Sequence, residues 1–197
     1  MIKNIIFDLG NVLINHDFNR FFAVCGYKPD ERDLDEALPV LMKFDAGQIG
    51  REEFYTGMQE VFGFDLSRNE FEAAWCDNFC ENTEMIDFAR ELSSGYSVFI
   101  LSNTDEIHLP YIWKTFPTIH FFNEKLMLSY ELGAVKPGKL IYEKALEKFD
   151  LNAKECLFID DKFTNVKSAE TCDITSIWHQ TNSETFEKIA KILTLKT

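Results

Sequence analysis

The stretch that decides the fold is Ile5-Ile6-Phe7-Asp8-Leu9-Gly10-Asn11-Val12-Leu13. Its apolar start shows no alternation with polar residues, which is typical of a parallel strand buried on both faces. The apolar run leads into Asp8, so we expect this carboxylate at the carboxyl end of the strand, where open α/β sheets bind their ligands. An isolated Asp-x-Gly-Asn also suits a simple turn, so a site here needs support from the rest of the chain.

Composition limits the size of the core and the kind of partner. The chain has 197 residues, of which 46% are hydrophobic and 19 are Phe, and this is enough for a sizeable core. The formal net charge of -13 argues against nucleic acid as a partner, because phosphate backbones are bound by clustered Lys and Arg. A small anionic substrate stays compatible with this charge, since a metal ion and one Lys reverse the field locally.

Three sequence features bear on the cellular environment. No window approaches the roughly 18 apolar residues of a membrane span. No basic-then-apolar leader precedes the first strand. The 5 Cys show no metal-binding spacing and are expected to be reduced thiols. We therefore expect a cytoplasmic protein without a membrane partner, and the oligomeric state is left open.

Strands and helices alternate along most of the chain. The first strand is predicted at residues 2–9, and further elements follow from apolar periodicity. These are strands at 96–101, 119–122, 155–159 and 174–178, and helices at 84–94, 105–115, 139–149, 165–172 and 183–194. The alternation predicts an α/β fold of Rossmann-like type, with a doubly wound parallel sheet.

The first two predicted strands are much farther apart in the chain than the roughly 30 to 40 residues of a simple βαβ unit. Apolar residues at helical spacing fill the gap, in segments near 34–42, 54–62 and 71–79. This pattern predicts a small α-helical cap domain at 16–85, inserted into a core domain made of 1–15 and 86–197.

Polar residues follow three of the predicted strands. Ser102 and Asn103 come after the second strand, and Asp160 and Asp161 come after the fourth. Because the carboxyl ends of parallel strands share one edge of a sheet, these residues are expected to meet Asp8 in one crevice. Lys136, in the loop Gly133–Pro137, can bring an ammonium group there. Each residue taken alone has a plain structural explanation as a helix cap, a turn or a solvated charge, but their joint placement favours a site.

These motifs together resemble the haloacid dehalogenase-like (HAD) hydrolase superfamily over nearly the whole chain. The order of the motifs also agrees with that superfamily. The quoted stretches are Phe7–Val12 as the nucleophile motif, Leu101–Thr104 as the phosphate-binding motif, Val135–Pro137 as the lysine motif, and Phe158–Asp161 with Asn165 as the acidic motif. The Asp-Leu-Gly-Asn-Val form, with Asp17–Arg20 behind it, is similar to a bacterial branch that includes alpha-D-glucose-1-phosphate phosphatase.

The resemblance implies Mg²⁺-dependent hydrolysis of a phosphate ester through an aspartyl-phosphate intermediate. Asp8 is the implied nucleophile, and Lys136 offsets the charge of phosphate and nucleophile. The implied phosphate-binding residues are Ser102, Asn103, Lys136 and Asn11. The implied metal ligands are Asp8, a backbone carbonyl at Gly10, and Asp161, with Asp160 as the closer supporting acid.

Gly10 departs from the pattern of most phosphatases of this superfamily, which carry a second Asp there to act as acid and base. Three explanations remain open at this point. The leaving group needs little protonation, as with an anomeric sugar oxygen; or His16 or Asp17 supplies the acid; or the enzyme is impaired.

The leading hypothesis is a phosphatase of small phosphorylated metabolites, in particular sugar phosphates such as a hexose 1-phosphate. The cap would choose the substrate, with Arg20 as a candidate contact. Two alternatives stay open. A 2-haloacid dehalogenase of the same fold also lacks the second Asp and needs no metal, and a catalytically silent protein could bind a phosphorylated ligand without turnover.

Overall fold

The strands form two sheets within residues 1–194, the part of the chain that the computed structural model describes. In chain order they are β1 (Asn4–Phe7), β2 (Ile14–His16), β3 (Phe79–Glu81), β4 (Ser97–Ser102), β5 (Leu126–Leu128), β6 (Cys156–Asp160) and β7 (Thr175–Trp178). A parallel sheet has the order β5-β4-β1-β6-β7, and β2 pairs with β3 as a separate antiparallel ribbon. The strand that carries the opening motif therefore lies at the centre of the main sheet.

Helices pack on both faces of this sheet, and others form a separate unit beside it. They are α1 (Asn19–Val24), α2 (Glu31–Asp45), α3 (Arg51–Phe62), α4 (Arg68–Cys76), α5 (Thr83–Leu92), α6 (His108–Thr115), α7 (Ser129–Leu132), α8 (Lys139–Lys148), α9 (Phe163–Glu170) and α10 (Asn182–Thr194). No helix in this part of the chain combines the length and hydropathy needed to cross a membrane.

Alternate residues of β1 contribute to two hydrophobic layers. Ile5 and Phe7 pack with residues of α5, α6 and α10 on one face, and Ile6 packs with residues of α8 and α9 on the other. A central strand covered on both faces is apolar throughout, which explains the pattern of the opening stretch. The predicted Rossmann-like, doubly wound α/β fold is confirmed.

A separate hydrophobic cluster holds α1, α2, α3 and α4 together. Its fully buried members include Phe21, Phe54 and Phe71, and the ring of Phe71 makes edge-to-face contacts with the other two. The β2–β3 ribbon connects this helical unit to the sheet. Met85, which the predicted boundary assigns to the cap, is fully buried in the cluster of the main sheet, because α5 already begins at Thr83.

Two local predictions are wrong. Residues 119–122 form part of a 3₁₀ helix, Pro117–Phe122, and the strand beside β4 is Leu126–Leu128 instead. Ile119 and Phe122 are both buried, at the i,i+3 spacing that a helix with three residues per turn places on one side. The third cap helix ends at Cys76, and Phe79 begins β3, so the apolar spacing there mixes a helix and a strand.

Candidate active site

The candidate site lies at the carboxyl ends of three adjacent strands. Asp8 follows β1, Ser102 ends β4 and Asp160 ends β6, and both β4 and β6 pair in parallel with β1. Asp8 is 7% exposed and its backbone N–H donates to Ile159 O at 2.8 Å. The sheet therefore brings together residues that are far apart in the sequence.

Lys136 connects two of these strand ends. Its Nζ lies 2.8 Å from Asp8 Oδ1, 2.7 Å from Asp160 Oδ2 and 3.0 Å from Leu101 O. Burial alone would lower the pKa of Lys136, but the charges of Asp8 and Asp160 outweigh burial and raise it. The ammonium group is thus charged and fully engaged.

Asp8 and Asp160, which contact this ammonium, form an acidic cluster with Asp161. One carboxylate oxygen of each lies within 4.8 Å of the others. Burial raises the pKa of Asp8 to about 7, and the charges of Asp160 and Asp161 add to this, although Lys136 opposes it. Three carboxylates and one ammonium leave two negative charges in a buried space. A divalent cation with a preference for oxygen ligands fits both the charge and the donor set.

Asp160 and Asp161 differ in the number of carboxylate lone pairs that remain free for a ligand. Asp160 is fully buried, and both of its oxygens accept hydrogen bonds, from Asn165 Nδ2 at 2.9 and 3.1 Å, from Lys136 Nζ and from the backbone N–H of Lys162. Asp161 is only half-buried, and among residues 1–194 its carboxylate accepts a single hydrogen bond, from Asn11 Nδ2 at 3.1 Å. Asp161 therefore retains more free lone pairs for a cation.

Asn11 holds Asp161 in place. Its backbone has φ 54°, in the left-handed region that Asn tolerates better than most residues. Its amide nitrogen donates to Asp161 Oδ2, and its amide oxygen accepts from the backbone N–H of His16 at 3.3 Å. Both ends of the amide thus have partners within the protein, and the phosphate contact expected of this side chain stays a prediction.

Asn103 fixes the backbone of Lys136. Its Oδ1 accepts from Lys136 N at 2.8 Å, and its Nδ2 donates to Lys136 O at 3.0 Å. Ser102 is 2% exposed, and its hydroxyl donates to Asn103 O at 3.2 Å. The side chain of Asn103 thus holds the backbone of Lys136, and the predicted phosphate contacts of Ser102 and Asn103 stay predictions.

His16 and Asp17, the two candidate acids, differ in their position relative to Gly10. Gly10 lies in the turn after β1, and a methyl group built on its Cα would lie 3.4 Å from Cδ2 and Nε2 of His16. Burial lowers the pKa of His16, the charge of Lys162 adds to this effect, and Asp161 opposes it. Asp17 is exposed, and its carboxylate accepts from N and Nδ2 of Asn19 at 3.0 and 2.7 Å, at the start of α1. Arg20 is exposed on the same helix.

Sequence reasoning missed a buried ion pair beside the site. Nδ1 of His108 lies 2.9 Å from Asp105 Oδ2, and its Nε2–H donates to Trp75 O of α4 at 3.0 Å. Because both ring nitrogens face acceptors, the imidazole is doubly protonated, and Asp105 raises the pKa of His108 despite burial. The ring also stacks on Trp75, with centroids 4.8 Å apart. This pair connects α6 of the core to the helical unit.

Asp45 was also missed as a site residue. It ends α2, and burial raises the pKa of its carboxyl to about 7, with Asp105 adding to this effect. His108, Lys162 and Lys136 act in the opposite direction. The charges that act on Asp45 thus come from residues outside the helical unit, among them Lys136 of the acidic cluster. No sequence pattern marks it, because its position depends on how the two units pack.

Replacing Asp105 with Asn is expected to lower the free energy of unfolding by about 3 kcal/mol, because it leaves a buried imidazolium unpaired. The ordinary pKa of His is about 6.5, and a folded pKa above it favours the native state at lower pH. The stability gap between wild type and variant should therefore widen as the pH falls from about 9 to about 6. Urea denaturation at several pH values measures it, and a gap independent of pH would contradict the ion pair.

The comparisons with known proteins agree with this geometry. Residues 2–173 match the family model described as haloacid dehalogenase-like hydrolase, so the chain belongs to that family. The chain is 28% identical over 179 residues to a D-ribitol-5-phosphate phosphatase of Bacteroides thetaiotaomicron, with 84% of this chain and 86% of that protein covered.

Solved structures of HAD family proteins are also similar to this chain. A HAD family enzyme of Bacteroides thetaiotaomicron, in a wild-type crystal structure with magnesium and inorganic phosphate, is 31% identical with a TM-score of 0.80. That match covers 92% of this chain and 96% of the other. A predicted HAD-like family hydrolase from Porphyromonas gingivalis is 26% identical with a TM-score of 0.80, covering 98% of each chain.

Proposed function

We propose that the protein is a Mg²⁺-dependent phosphatase of small phosphorylated metabolites. The observation that carries this proposal is the cluster of three carboxylates at the ends of adjacent strands, two of which contact a single buried ammonium. A carboxylate attacks phosphorus only when positive charge shields it from the phosphate oxygens. Relatives support the proposal, since one is named as a phosphatase and another was crystallised with magnesium and phosphate.

Asp8 is the proposed nucleophile. Its Oδ1 is held by Lys136 Nζ at 2.8 Å and by the backbone N–H of Leu9 at 2.7 Å. Within residues 1–194 no hydrogen bond reaches its Oδ2. The side chain is thus fixed in orientation while keeping an unshielded oxygen, as a covalent catalyst requires. An oxygen of Asp8 forms a bond to phosphorus, the ester oxygen leaves, and water then releases phosphate from the aspartyl-phosphate.

Asp8 and Asp161 are the proposed carboxylate ligands of Mg²⁺, with Asp160 holding Lys136 in place. When bound, the ion would neutralise the two excess negative charges and shield the nucleophile from the phosphate. Ser102 and the backbone N–H of Asn103 would receive the phosphate oxygens. Lys136 would balance the charge that Asp8 and the phosphate share.

Sugar phosphates are the proposed substrates, with a hexose 1-phosphate as one candidate. The helical unit adjoins the site and presents Asp45 toward it, and a carboxylate there can accept hydrogen bonds from substrate hydroxyl groups. A relative that acts on a polyol phosphate supports this class, although it leaves the position of the phosphate open.

A panel of phosphate esters, assayed with Mg²⁺ and with excess chelator, tests the function. The panel includes hexose 1-phosphates, hexose 6-phosphates, pentitol 5-phosphates and a nucleotide. We expect hydrolysis of at least one sugar or polyol phosphate, falling by at least about 100-fold in chelator. Halide release from a 2-haloacid in chelator would instead show a dehalogenase. Phosphate binding without turnover of any ester would show a silent binding protein, and either outcome would contradict the proposal.

A further inference from the structure

Hydrolysis at this site needs a group that handles protons, and the groups already described are committed elsewhere. The ammonium of Lys136 has three acceptors within 3.0 Å. Both oxygens of Asp160 accept hydrogen bonds. Asp8 attacks phosphorus, and Gly10, two residues further on, has no side chain. An ester whose alkoxide needs a proton on leaving therefore requires a donor from another element.

The imidazole of His16 lies where a side chain on Gly10 would point. A Cβ on Gly10 would be 3.4 Å from its Nε2, which is ordinary van der Waals contact. The ring is held by Phe18, with centroids 4.9 Å apart, and lies edge to face with Phe79 at 6.4 Å. Its position is therefore set by packing and is not that of a mobile surface side chain.

The backbone of His16 is tied to the acidic cluster. Its N–H donates to Asn11 Oδ1 at 3.3 Å, and the amide of Asn11 in turn donates to Asp161 at 3.1 Å. Neither ring nitrogen of His16 has a hydrogen-bond partner among residues 1–194. A half-buried imidazole with free nitrogens, held against the turn that follows Asp8, is available to a substrate atom.

We propose that His16 is the acid and base of this hydrolysis, a role that rests on the proposed function. As the bond between phosphorus and the ester oxygen breaks, the imidazolium gives its proton to that oxygen and the alcohol leaves. The neutral imidazole then takes a proton from the water that attacks the aspartyl-phosphate, which frees Asp8 and restores the imidazolium. A bound phosphate dianion beside the ring favours the protonated form in the first step.

The dependence of the rate on the leaving group tests this role. His16→Gln should lower kcat/KM by at least about 100-fold for the best sugar phosphate of the panel, because its alkoxide needs a proton. For p-nitrophenyl phosphate, whose phenolate leaves unprotonated, kcat/KM should change by less than about threefold, while kcat falls through loss of the base. His16→Asn is made in parallel, with melting temperatures of both variants as a check on folding.

A second variant tests whether the His16 ring occupies the place of a side chain at position 10. Adding Gly10→Asp to His16→Ala should raise kcat/KM for the sugar phosphate at least about tenfold above that of His16→Ala alone. The new carboxyl group then fills the position that the imidazole left. Glu143→Gln is the control, expected to leave both substrates unaffected because this carboxylate forms only a surface pair with Lys139 at 3.2 Å.

Two results would overturn the role of His16, namely an equal loss of kcat/KM on both substrates, or no loss on either. Wild-type protein that hydrolyses neither ester would instead contradict the phosphatase function itself, and the inference with it. The wild-type assay therefore separates the failure of the function from the failure of this residue's role.

Discussion

Asp8→Asn is expected to abolish phosphate ester hydrolysis, with kcat lowered by at least about four orders of magnitude. An amide cannot form the covalent intermediate, and it also removes one ligand from the proposed metal site. The fold should survive this change. Asp8 lies beside the carboxylates of Asp160 and Asp161, so removing its charge relieves repulsion, and the melting temperature without metal should be equal or higher.

The matched control for this variant is Asp87→Asn. Asp87 is exposed on α5, where its carboxylate pairs with Arg90 at 2.8 Å, and its loss should change neither activity nor stability measurably. Steady-state assays and thermal melts of both variants give the comparison. Retention of more than about a tenth of wild-type kcat in Asp8→Asn would rule out Asp8 as the nucleophile.

Lys136→Met should lower both activity and stability. The methionine fills a similar volume but leaves Asp8 and Asp160 buried without their shared cation, at a cost of about 3 kcal/mol in the free energy of unfolding. Loss of the ammonium should lower kcat/KM by about a thousandfold, because phosphate and nucleophile then repel each other unscreened. Urea denaturation and steady-state kinetics measure the two effects.

The pH dependence of Lys136→Met has a defined sign. Burial raises the pKa of Asp8 to about 7 although Lys136 opposes this shift, so without the ammonium protonation of Asp8 favours the native state further. The variant should therefore recover stability relative to wild type as the pH falls from about 8 to about 5. Lys139→Met is the control, since its ammonium is exposed and forms only a surface pair with Glu143 at 3.2 Å. A loss of stability no greater in Lys136→Met than in this control would contradict the central position of Lys136.

The fold was largely predictable from the sequence because its central strands carry their own signal. A run such as Ile5–Phe7 is apolar at every position only when both faces are covered, and that condition places it inside a parallel sheet. The edge of the sheet was less predictable. Residues 119–122 are short and apolar, and without the tertiary contacts a buried 3₁₀ turn and a buried strand look alike.

The residues at strand ends were predictable for a topological reason, since parallel strands place their carboxyl ends together. The hydrogen bonds among these residues were not predictable from the sequence. That Asn11 donates to Asp161 depends on a left-handed backbone at φ 54°, and that Asn103 holds the backbone of Lys136 depends on the path of a loop. The β2–β3 ribbon, which carries His16 to the space beside Gly10, pairs short segments far apart in the chain, so no local pattern predicts it.

Rapid quenching of wild-type protein during turnover, followed by mass analysis of its peptides, tests the phosphoenzyme most directly. We expect the peptide that contains Asp8 to gain the mass of one phosphoryl group when Mg²⁺ and a hydrolysed sugar phosphate are present, and to lose it as the substrate is exhausted. A phosphoryl group found on a different residue, or steady turnover that never labels this peptide, would contradict the account.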